Sequence, residues 1–154
     1  MERYLMANEL DLIREGFEPF VVSSRMLDIV HEDPKGLGPY CRLQVAGDVP
    51  ELPGVYAWDV SDSVMYVGHS KCLRQVVDGV RMGRPYNDYT YVPPSKTGQI
   101  SSPRLRINGE LNRCFVAEAT VRWWCRTCAS RDHAVELERR LFHEWSPSWN
   151  RATP

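Results

Sequence analysis

The chain has 154 residues, 43% apolar and 25% charged, with a formal net charge of −1. That suits one domain of ordinary size and excludes collagen-like, low-complexity and wholly disordered chains. No apolar run approaches the roughly 20 residues of a membrane span, and the start, Met1-Glu2-Arg3-Tyr4, lacks a signal-peptide layout.

The spacing predicts a first helix over 4–15. Met6, Leu10, Ile13 and Phe17 recur on one face, and Gly16 suits a left-handed C-terminus. Phe20-Val21-Val22 and Met26 to Val30 are short strand candidates, and Pro34, Gly36, Gly38 and Pro39 break the chain after them. Gly54 to Val60 and Val64 to Gly68 read as two strands of a β-hairpin, with turn residues from Asp59 to Ser63. Ser70 can cap a following helix whose Leu73, Val76, Val77 and Val80 form one apolar stripe. Residues 83–99 read as a long loop. Ser102-Pro103 opens a helix through about Asn112. Phe115 to Thr127 reads as a strand. Ser130 or Asp132 then caps a final helix that ends near Ser146-Pro147. The expected fold is α+β: a small central sheet, made of the 54–68 hairpin and the 115–127 strand, flanked by helices. Residues 1–50 form an N-terminal helix and strand extension packed on the core, which occupies 51–154.

The charge is unevenly spread. Residues 1–65 carry 5 Lys/Arg against 12 Asp/Glu, a balance of −7; residues 66–154 carry 14 against 8, a balance of +6. An acidic front joined to a basic back suits a polyanion bound through the back part. An alternative use of the acidic front is as a protein-interaction surface. The five cysteines form an odd set, which reads as free thiols of a reducing, cytoplasmic chain. Cys125-Arg126-Thr127-Cys128 followed by His133 invites a zinc reading. A structural zinc ion needs four ligands, and residues i and i+3 of a strand point to opposite faces, so zinc is not expected.

Gly54-Val55-Tyr56 and Tyr66-Val67-Gly68, with their tyrosines ten residues apart, precede a late Glu138-x-x-Leu141-Phe142 and Pro147-Ser148-Trp149-Asn150. In this order the set resembles the GIY-YIG nuclease superfamily, over about residues 52–150. The resemblance implies a DNA endonuclease that hydrolyses phosphodiester bonds with a single divalent ion, Mg²⁺ or Mn²⁺. Glu138 would be its metal ligand, a role that suits a carboxylate inside an apolar helix stripe. Tyr56 and Tyr66 would position or deprotonate the attacking water. Asn150 would brace the site, and His69 would hold a phosphate or move a proton. The same residues have plainer readings: strand packing for the tyrosines, an exposed turn for His69, helix termination for Asn150. Many relatives cut duplexes as dimers, which leaves room for a homodimer here; no membrane partner is expected.

The pattern departs from the superfamily at one position. An arginine is expected eight residues after Gly68, and Val76 stands there. Arg74 is about 200° and Arg81 about 140° away around a helix, so neither is a simple substitute. Phosphoryl transfer depends on offsetting the charge that develops on phosphate. Either another cation enters the site, or the domain is a degenerate one that binds nucleic acid or regulates. Lys71, Arg74, Arg104 and Arg106 are the candidates for nucleic-acid contact, with Lys96, Arg113 and Arg122 extending the basic surface.

Overall fold

A computed structural model describes residues 6–21, 23–31, 40–46, 49–76, 107, 110–111, 113–114 and 117–150. In chain order it contains helix α1 (Glu9–Arg14) and strands β1 (Glu18–Val21), β2 (Ser23–His31), β3 (Tyr40–Ala46), β4 (Gly54–Val60) and β5 (Ser63–Ser70). A 3-10 turn (Leu73–Val76), strand β6 (Val121–Thr127) and helix α2 (Arg131–Trp145) follow. The fold is α+β, as expected. One antiparallel sheet runs in the order β1-β6-β4-β5, and β2 and β3 pair separately.

The central hairpin turns on Ser61 and Asp62, both at positive φ (48° and 65°), a twist that matches the flanking strands. The Asp59 carboxylate holds this turn by accepting from the Asp62 N–H at 2.9 Å. β4 lies between β5 and β6, and every residue from Gly54 to Asp59 is buried because both sheet faces are covered. Tyr56, Trp58, Trp123 and Cys125 face a first core completed by Leu73, Val76, Ile107, Leu111 and Trp149. Val55, Ala57, Val67 and Trp124 face a second core under Leu12, Phe17, Ala134, Leu137 and Leu141. Cys125 and Cys128 thus pack on different sides of the sheet, and burial pushes the Cys125 thiol up to about 11.

Several boundaries differ from the sequence reading. The third strand of the motif region starts at Val121 rather than at 115, because Arg113 and Cys114 are helical and Ala117-Glu118 turn, with Glu118 at φ 58°. The first helix spans Glu9–Arg14 only, opened by an Asn8 capping box with Asp11. Its expected buried stripe is instead exposed: Met6, Leu10 and Ile13 are 38%, 59% and 53% accessible, while Leu12 and Phe17 enter the core. Polar ties set this orientation. Arg122 pairs with Glu9 at 3.0 Å and Asp59 at 2.5 Å, and the Asp62 carboxylate accepts from the Glu9 N–H at 3.1 Å. Glu15 takes a two-pronged pair from Arg140 at 2.9 and 2.7 Å and a further bond from Arg126 at 3.3 Å. Among the described residues no helix is long and apolar enough to cross a membrane.

Candidate active site

The two motif glycines are fixed by what surrounds them. A Cβ on Gly54 would lie 2.3 Å from the Arg126 carbonyl oxygen on β6 and 2.7 Å from Leu73 Cδ1. A Cβ on Gly68 would lie 2.5 Å from both Cζ and Oη of Tyr56, its cross-strand partner. The Tyr56 ring therefore covers Gly68, with its hydroxyl beside the residue that precedes His69. Tyr66 shares that face of the sheet; the two tyrosine rings are 6.1 Å apart, and Trp58 packs on both at 5.5 and 5.1 Å.

His69 takes the other face. It stands two residues beyond Val67, whose side chain is fully buried under α2, and strand alternation turns it the same way. Glu138 follows the buried Leu137 on α2, a helix capped at Ser130, whose hydroxyl accepts from the His133 N–H at 3.1 Å. His69 Nδ1 and Glu138 Oε2 are in direct contact. Their side chains are 33% and 26% exposed, so water and phosphate oxygens can reach them. An accessible carboxylate beside an imidazole nitrogen is a donor set that suits a divalent ion completed by water and substrate oxygens.

Asn150 joins the site through the backbone. Its Oδ1 accepts from the Val67 N–H at 2.9 Å and its Nδ2 donates to the Val67 carbonyl at 2.8 Å. The residue so held lies between Tyr66 and Gly68. Trp149 adds a bond from its N–H to the Met65 carbonyl at 2.8 Å.

The structure thus brings together His69 and Glu138, and separately Tyr56 and Tyr66, with β5 and Asn150 linking the pairs. Lys71 is exposed just past β5. Arg74, on the 3-10 turn, is exposed and lies 3.9 Å from Glu51. Arg104 and Arg106 lie outside the described residues. Val76 is 2% exposed in the first core with Tyr56, Leu73, Ile107 and Leu111, so the position where an arginine is expected is an interior one here. The direct His69–Glu138 contact was missing from the sequence reading. Its signal was the alternation from the apolar Val67, read together with the periodicity of the last helix.

No protein-family profile matches the chain. A 37-residue stretch, 23% of the chain, is 54% identical to UvrABC system protein C of Acidothermus cellulolyticus and spans 6% of that protein's length. The structure of a bacteriophage T4 EndoII mutant superposes with a TM-score of 0.56 at 14% identity, over 91% of this chain and 96% of that one. The chain thus shares its fold with the EndoII structure and a short, similar stretch with UvrABC system protein C.

Proposed function

We propose that this chain is a nuclease of the GIY-YIG type, a divalent-metal-dependent DNA endonuclease acting in the cytoplasm. The observation that carries the reading is the contact of Glu138 with His69, one residue past Gly68 and the Tyr56 ring over it. In this reading Glu138 holds the ion, with His69 beside its carboxylate. When bound, the ion, Mg²⁺ or Mn²⁺, supplies charge stabilisation at the phosphate. Tyr56 and Tyr66 position or deprotonate the water that attacks phosphorus, and Asn150 fixes the strand that carries Tyr66. Exposed Lys71 and Arg74 receive the nucleic-acid backbone, joined by Arg104 and Arg106.

The test is incubation with plasmid DNA and Mg²⁺ or Mn²⁺. Cleavage that disappears in Glu138→Ala is the expected result; no cleavage, or cleavage indifferent to that substitution, removes the reading. One observation favours a second reading, a degenerate domain that binds nucleic acid without cutting it: the buried Val76 where phosphate chemistry needs a cation. Salt-sensitive DNA binding without turnover is its signature.

A further inference from the structure

We propose that His69 Nδ1 is a second protein ligand of the ion on Glu138, which makes this a mixed carboxylate–imidazole site. Such a site favours first-row ions such as Mn²⁺, Co²⁺ and Ni²⁺ over Mg²⁺. The inference rests on the endonuclease reading only in taking Glu138 as the seat of the ion.

Both donors sit on firmly held elements. β5 is paired along one edge with β4 and held at Val67 by Asn150 on the other. α2 is capped at Ser130 and buries Ala134, Leu137 and Leu141 against the sheet. The imidazole nitrogen already touches the carboxylate oxygen, so a small separation gives them neighbouring positions on one octahedral ion. Both side chains keep an open side for the water and phosphate oxygens that fill the other positions. A carboxylate with water and phosphate satisfies Mg²⁺, to which imidazole adds little. Nitrogen donors instead strengthen binding along the series from Mn²⁺ to Co²⁺ to Ni²⁺.

Calorimetry with Mg²⁺, Mn²⁺ and Co²⁺ on the wild-type chain, His69→Gln and Glu138→Gln tests this, each variant first shown folded by metal-free thermal unfolding. His69→Gln is expected to weaken Co²⁺ and Mn²⁺ by roughly 10-fold or more, at least the loss seen when an outer-shell partner is removed, with Mg²⁺ little changed. Pulsed EPR of Mn²⁺ on the wild-type protein is expected to show nitrogen coupling, and this readout needs no variant. Unchanged or tighter Co²⁺ and Mn²⁺ binding in His69→Gln, or no nitrogen coupling in the wild type, overturns the second ligand. If Glu138→Gln abolishes binding while His69→Gln is silent, only the second ligand falls. If Glu138→Gln binds like the wild type, or the wild type takes up no Mn²⁺, the endonuclease reading falls as well.

Discussion

Tyr56 and Gly68 face each other across the hairpin so closely that the tyrosine ring occupies the space a side chain at 68 would need. The Gly68→Ala methyl would lie 2.5 Å from Cζ as well as from Oη, so the whole ring has to move. Overpacking of this kind costs about 1–3 kcal/mol. Gly68→Ala is therefore expected to lower stability in chemical denaturation. In a Tyr56→Ala background the same change should cost little, giving a coupling of about 1 kcal/mol or more. Additive effects would show that the ring does not set the glycine.

Asn150 makes two bonds to one backbone residue, and each is worth about 0.5–1.5 kcal/mol net. Asn150→Ala is expected to cost about 1–3 kcal/mol on that basis and to speed amide exchange at Val67. Asn150→Asp keeps the acceptor but sets a carboxylate oxygen against the Val67 carbonyl, so it should be at least as costly. Thermal unfolding with exchange at that amide checks both.

Val76 is an interior side chain, so an arginine at that position places a guanidinium among Tyr56, Leu73, Ile107 and Leu111. An uncompensated buried charge costs about 3 kcal/mol or more. Val76→Arg is expected to destabilise the fold on that scale rather than raise activity. A variant as stable as the wild type, with faster cleavage, would show that the position opens to the site.

The Arg140 hydrogen bonds hold the Glu15 carboxyl below its ordinary value near 4.5, with attraction from Arg140 and Arg126 adding to them against the opposing effect of burial. A depressed folded value stabilises the native state fully above the unfolded value, and that contribution fades as pH falls below it. Wild-type stability is thus expected to decline as pH drops below about 4.5, and Glu15→Gln should flatten part of that decline. Asp59 acts with the opposite sign: burial raises its carboxyl despite Arg122, so its ionisation costs stability as pH rises through that range. Equal acid slopes for wild type and Glu15→Gln would remove Glu15 from the account.

What could be read from the chain alone divides along physical lines. The hairpin, its glycines and the last helix with its Ser130 cap are local, written in turn residues and periodicity. The first helix misled because Met6, Leu10 and Ile13 have the right period, yet the docking angle is set by Glu9–Arg122 and Glu15–Arg140, pairs up to 125 residues apart. The strand before α2 began late because Glu118 adopts a left-handed turn that its residue type does not advertise. At the candidate site, the motif order singles out Tyr56 and Tyr66, whose rings lie near each other, and Glu138, which meets His69. The meeting of His69 with Glu138, 69 residues away, depends on how α2 crosses the sheet.

β5 is an outer strand of the sheet, and such strands normally offer unpaired backbone groups on which another extended chain can add. Here the Met65 carbonyl and both polar groups of Val67 are already engaged by Trp149 and Asn150. A second chain could extend the sheet at that edge only by first peeling its own neighbour away. The residues that hold the site in shape also seal it against fibrillar stacking, and a molecule arriving at that edge must be gripped by side chains rather than by a borrowed backbone.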